Sequence, residues 1–318
     1  MKLKYKNKII TGIVLIMLSY ASYLLPPAML NIYNLSALLF LFIAGVVFVS
    51  EGVTLSLANK SISADIHRSK HNILVFIIIS VVGAFFLDGV AKWSGKLWVY
   101  PYYPNNGLFF YFVTFIPGFA AYWLMIVESY FVTKIFFDYL HKGKQLVTRP
   151  FKYEDGLYKF LAIAGELIIF SAVIIIVGFY SGSNARFISA EDMKQITGNF
   201  QIPFVCSMLI SLGLWFILEY IEHRRKRTSL LKDTLHGYFS PVLAVLAGSF
   251  ACAILMETQN IPVGLWSYVN WPWESIKFFH LPFLVYLAWP IHYIVFLSLF
   301  RAFSKQESQE IWREDVIS

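Results

Sequence analysis

Long apolar runs alternate with short polar, mostly basic stretches along the whole chain. Eight runs approach or exceed the about 20 residues that a helix needs to cross a bilayer. They cover 9–25, 33–50, 72–91, 108–135, 157–180, 200–221, 238–257 and 279–301. A bilayer satisfies no backbone polar group, so segments of this length are helices. Barrel strands would alternate over about 10 residues, which these runs do not. The pattern therefore predicts an all-α integral membrane protein with eight transmembrane helices. Lys2, Lys4, Lys6 and Lys8 precede the first run as in a signal sequence. With so many runs following, a retained first span is the expectation.

Composition agrees with that reading. Hydrophobic residues make up 58% of the 318 and charged ones 14%, against roughly 25% charged in soluble domains. Mean hydropathy is +0.62. A soluble globular enzyme, a disordered chain and a secreted disulfide scaffold are excluded. Both cysteines, Cys206 and Cys252, lie inside apolar runs and form no metal-type pair.

The net charge of +7 is distributed by side rather than by face. One set of connecting segments holds the N-terminal lysines, Lys60/Arg68/Lys70, Lys142/Lys144/Arg149/Lys152 and Arg224/Arg225/Lys226/Arg227/Lys232. The other set holds only Lys92/Lys96, Arg186/Lys194 and Lys277. The positive-inside rule then places both termini in the cytoplasm, as an even number of spans requires. A bacterial plasma membrane is the expected location, with membrane lipid rather than nucleic acid as the partner of the basic loops. Arg224–Arg227 reads as an anchor that touches anionic lipid.

The chain also repeats itself at an offset of 168 residues. Leu97-Trp98-Val99-Tyr100 returns as Leu265-Trp266-Ser267-Tyr268, Pro104 as Pro272 and Glu51 as Glu219. With small gaps Asp88 matches Glu257, Pro117 matches Pro282 and Trp123 matches Trp289. Four helices per unit give two parallel four-helix repeats related by an axis along the membrane normal. The expected division is 1–150, 151–303 and a polar cytoplasmic tail at 304–318.

Carboxylates inside such runs are costly, by about 2.5–3.5 kcal/mol on insertion scales, and so point to function. Asp88 and Glu257 each precede the same aromatic loop. Glu128 and Glu166 lie deeper and form a second pair of candidates that shared hydrogen bonds can join. Glu51 and Glu219 read as paired or solvated helix ends. A neutral carboxylic acid can donate a proton. Neighbouring Trp and Tyr faces stabilise a developing cation. That combination suits protonation of a carbon–carbon double bond, followed in a dry pocket by cyclisation or deprotonation, or by hydration where water enters.

Glu257, Gly264-Leu265-Trp266-Ser267-Tyr268, Leu281-Pro282 and Ala288-Trp289 resemble the membrane carotenoid hydratase family in content and order. Asp88, Trp98-Val99-Tyr100 and Pro117 are similar to the membrane lycopene cyclase domain. The paired glutamates of the cyclases have no counterpart after Pro117 or Pro282. The resemblance implies an isoprenoid substrate, catalytic acids at Asp88 and Glu257, and no cofactor. It implies a pocket walled by Trp98, Tyr100, Trp266 and Tyr268, with Trp123 and Trp289 beyond.

Other signals are weaker. His67 and His71 share a helix face but stand alone among basic residues, so no metal site is expected. His280 and His292 read as packed or interfacial. The nucleotide, dinucleotide, hydrolase and zinc-protease motifs do not occur. Two further functions fit the same pattern: a proton-coupled transporter or lipid-handling protein, and a non-catalytic sensor or assembly factor whose motifs only pack loops.

Overall fold

The computed structural model describes residues 3–24, 26, 29, 31–83, 97–101, 116–141, 153–182, 201–269 and 271–305. These are predominantly helical. Among the described residues, ten helices run in the order α1 Leu3–Ser19, α2 Ile32–Ala58, α3 Ile62–His67, α4 Lys70–Val82, α5 Ile116–Leu140, α6 Glu154–Gly182, α7 Gln201–Arg224, α8 Leu230–Leu235, α9 Ser240–Asn260 and α10 Phe283–Phe303. Six of them, α2, α5, α6, α7, α9 and α10, are long and apolar enough to cross a membrane. The chain is thus an all-α protein with the helices of an integral membrane protein. The first expected span is a shorter helix, α1, that tightens into a 3-10 turn over Tyr20–Leu24. Of the expected span at 72–91, only the part within α4 is described. Most of the tail at 304–318 lies outside the described residues.

Local chemistry sets the helix ends. Asn31 caps α2, its side chain accepting from the Tyr33 and Asn34 amides, and Asn59 ends it in the left-handed conformation. Ser61, Ser69 and Ser229 cap α3, α4 and α8 in the same way as Asn31. A proline in the first turn of α9 occupies a position whose missing N–H costs nothing.

The helices pack as two close pairs against a central group. α1 lies along α2, and α6 lies along α7. α2 packs on α5 and α7 on α10, while α4, α5, α9 and α10 meet in the middle. Glycine allows each outer pair its close approach. A Cβ added to Gly12 would stand 2.6 Å from the Gly45 carbonyl oxygen, and one added to Gly165 would stand 2.6 Å from that of Gly213. Ile16 fills the space over Gly45 just as Ile169 fills that over Gly213. Trp123, Tyr130, Phe131, Tyr293, Phe296 and Phe300 fill the centre.

Two short antiparallel ladders complete the described structure. β1 Trp98–Val99 pairs with β2 Ser267–Tyr268, placing Trp98 opposite Tyr268 and Val99 opposite Ser267. β3 Lys277–Phe278 pairs with β4 Leu281–Pro282. The β1–β2 ladder lies beyond the end of α9. The opposite end, where α1 begins and α2, α5, α7 and α10 finish, is called the basal end below.

Candidate functional site

Glu257 sits in the last turn of α9 and is buried. Its Oε1 accepts from the Asn260 amide at 3.0 Å. Asn260 also clamps the aromatic loop. Its Nδ2 donates to the Trp266 carbonyl at 3.0 Å, and its Oδ1 accepts from the Trp266 amide at 2.9 Å. Gly264, with φ +64°, lets the chain turn back for this contact. The Trp266 indole donates to the Tyr268 hydroxyl at 3.1 Å. Burial holds that hydroxyl well above the usual tyrosine range, and the nearby Glu257 carboxyl adds to the effect.

The other half of the chain reaches the same place. The Leu97 carbonyl accepts from the Val269 amide at 3.0 Å and from the Trp271 indole at 2.8 Å. Leu97, Ala253, Trp271, Leu281, Val285 and Tyr286 form a buried cluster against which Trp98, Tyr268 and Trp289 pack. Among the described residues, the buried Glu257 Oε2 has no hydrogen-bond partner within bonding geometry.

The expected site residues divide among four places. Glu257, Trp98, Trp266 and Tyr268 come together, and half-buried Tyr100 immediately follows the β1 strand. Trp123 and Trp289 form an adjoining layer. Trp123 stacks on Phe296 at 3.7 Å and on His292 at 4.8 Å between ring centroids, and Tyr122 bridges to Trp289 at 6.0 Å. The Trp123 Nε1 and His292 Nε2 atoms are buried without hydrogen-bond partners among the described residues. Glu128 lies toward the basal end, where its Oε1 accepts from the Ser63 amide at 3.0 Å and from the Ser61 and Ser63 hydroxyls. Glu166 lies on the exposed face of α6, so the structure does not join it to Glu128. Asp88 lies outside the described residues.

The basal end holds an ionisable network that the sequence reading largely missed. Lys8 pairs with Glu51 at 2.6 Å, and Ser61 Oγ lies 3.1 Å from Glu51 and 3.3 Å from Glu128. Glu219 accepts from the Trp215 indole at 2.8 Å and from the Leu231 amide at 3.1 Å. Arg301 donates to Glu222 at 2.8 Å, and Lys134 to Asp138 at 2.8 Å, with Tyr238 donating to the same Asp138. Glu51 and Glu219 are thus buried, with Glu51 a paired helix end, as expected, and Glu219 held by hydrogen bonds. Asp233, on α8, has its carboxyl raised from 3.8 to about 7, first by burial and against the opposing charges of Arg301 and Lys134. The 168-residue offset carried a usable signal, since it also relates Ser61 to Ser229 and Asp65 to Asp233. Asn260 and Trp271 have no equivalent signal.

Among the described residues, no group of three or more His, Cys, Asp or Glu side chains is arranged to hold a metal. His67 and His71 instead bond the Ser63 and Phe303 carbonyls. Compared with known proteins, the chain matches no family model, no curated protein and no solved structure.

Proposed function

We propose that this protein is a membrane enzyme that modifies an isoprenoid, with Glu257 as its acid. The observation that carries the reading is the buried Glu257 carboxyl, close to Tyr268 and Tyr286, whose Oε2 has no hydrogen-bond partner among the described residues. In its acid form the Glu257 O–H bond breaks and a C–H bond forms at one end of a substrate double bond. The cation left on the other carbon lies against aromatic faces, which attract it. It ends by losing a neighbouring proton to the Glu257 carboxylate, or by adding water, whose surplus proton then returns to the Glu257 carboxylate. Asn260 orients the carboxyl through Oε1 and leaves Oε2 to react. Trp123 and Trp289 extend the apolar wall toward the membrane centre.

We infer further that the chain consists of two parallel four-helix repeats, eight spans in all, in a bacterial plasma membrane with both termini cytoplasmic. The pairing of Val99 with Ser267 supports this, because the two residues stand one repeat apart. Antiparallel pairing of equivalent residues is what a two-fold axis along the bundle produces. The matched Gly12–Gly45 and Gly165–Gly213 crossings support the same relation.

The test is lipid extraction and mass spectrometry of cells with the protein, without it, and with Glu257→Gln. An isoprenoid changed by 18 mass units or in isomer composition, and only with unaltered Glu257, is expected. A host with abundant carotenoids and terpenoids whose pools do not respond to well-expressed protein would refute it. The paired acids Glu51 and Glu128 at the other end favour a second reading, proton-coupled transport. That reading requires a pH gradient in proteoliposomes to drive solute movement, and Glu128→Gln to abolish it.

A further inference from the structure

The lipid-facing side of α6 carries an ordered pattern that its own fold leaves unused. Phe160, Ile163, Leu167, Phe170, Ile174 and Val177 are each more than half exposed. Their spacing of three and four residues in turn makes one continuous seam of the kind two helices bury against each other. Gly156 and Gly178, at either end of the seam, face open space. Glu166 and Ser171 are exposed on its two flanks, five residues apart. Glu166 is the one charged residue between positions 161 and 180. A carboxyl at that position faces hydrocarbon unless another helix covers it.

The opposing outer helix gives the comparison. α1 meets α2 through the same glycine crossing by which α6 meets α7. Aligned on Gly12 and Gly165, Ile13 stands where α6 has Glu166, and Leu18 stands where it has Ser171. The α1 face is exposed and wholly apolar there, as lipid contact asks. The polar pair is therefore peculiar to α6 and is not a demand of the fold.

We propose that α6 is the interface of a parallel homodimer, in which Glu166 of each copy hydrogen-bonds Ser171 of the other. Two copies in one membrane share an orientation, and a two-fold axis along the membrane normal sets their α6 helices parallel. In a parallel pair, a residue flanking the seam on one side faces the residue five positions further along the other helix. Glu166 and Ser171 meet that condition twice, once in each direction. The seam is self-complementary, so the occupant is a second copy of this chain. Only one outer helix carries it, so association closes at two and does not propagate.

Light scattering of the detergent-solubilised full chain should give twice the 36.6 kDa chain mass. Glu166→Leu should weaken association by about tenfold, and Glu166→Gln, which keeps the hydrogen bond, by much less. Leu167→Cys should cross-link in native membranes, whereas Val14→Cys on α1 should not. A chain that is monomeric at all concentrations overturns the proposal. So does a dimer indifferent to Glu166→Leu, or cross-linking through Val14 as readily as through Leu167.

Discussion

Arg301 and Glu222 form an ion pair as enclosed as Lys134–Asp138, with side chains 2% and 0% exposed and 2.8 Å between Nε and Oε1. Ser298 takes a second Arg301 donor at 3.3 Å. Glu222 Oε2 has no hydrogen-bond partner among the described residues, and Glu219 and Asp233 add negative charge nearby. Arg301→Met keeps the stem but removes the cation, stranding Glu222. Breaking one side of such a pair costs about 3–5 kcal/mol, or about two to nearly four powers of ten in the folding equilibrium. Glu222→Leu together with Arg301→Met removes both charges, and should be neutral or stabilise by up to about 4 kcal/mol, because a matched apolar pair avoids desolvation. The assay is a double-mutant cycle on reversible unfolding in mixed micelles, with coupling expected at about 2 kcal/mol or more. An Arg301→Met protein within about 1 kcal/mol of the unaltered one would refute the reasoning. A double variant worse than Arg301→Met would do the same.

Two further outcomes follow from groups already described. Asp233 holds its proton to about pH 7 when folded, whereas the unfolded chain releases it near 3.8. Its contribution is therefore full below the lower value and is lost as pH rises to the upper one. Melting temperature between pH 4.5 and 8 should fall more steeply for the unaltered protein than for Asp233→Asn, and parallel curves would count against the raised carboxyl. Gly12→Leu and Gly165→Leu should each destabilise by about 1–3 kcal/mol through overpacking, since an added Cβ stands 2.6 Å from a carbonyl oxygen in both. Gly118→Leu, facing open space on α5, is the control. Unequal costs at Gly12 and Gly165 in an unfolding titration would break the correspondence between the two outer pairs.

The fold was legible wherever hydrophobicity alone decides it. Apolar runs 33–50, 157–180 and 279–301 lie within α2, α6 and α10 almost throughout, because a bilayer-length apolar run has one way to satisfy its backbone. α1 showed the limit: its apolar run extends past Ser19, but the helix tightens there. The repeated Leu-Trp-x-Tyr loops were legible as a motif, and the structure pairs them directly. Depth misled where direction matters. Glu128 and Glu166 are both acids within apolar runs, yet one points at Ser61 and Ser63 and the other out of the bundle. Hydropathy carries no information about helix rotation. Arg301 was equally hidden, since its partner Glu222 lies 79 residues away and neither belongs to a motif.

The β1–β2 ladder has an implication for how such a chain came to be. Residues in equivalent places, Val99 and Ser267, face each other across it. A single four-helix unit carrying one such strand would expose an edge whose natural complement is the same edge on another copy. On the two-repeat reading proposed above, the present ladder is the contact that two separate units would have used to recognise each other, made permanent by joining them end to end. On that reading, fusion fixes their stoichiometry and frees the halves to diverge, as in the outer helices, where Ile13 aligns with Glu166 when Gly12 is matched to Gly165.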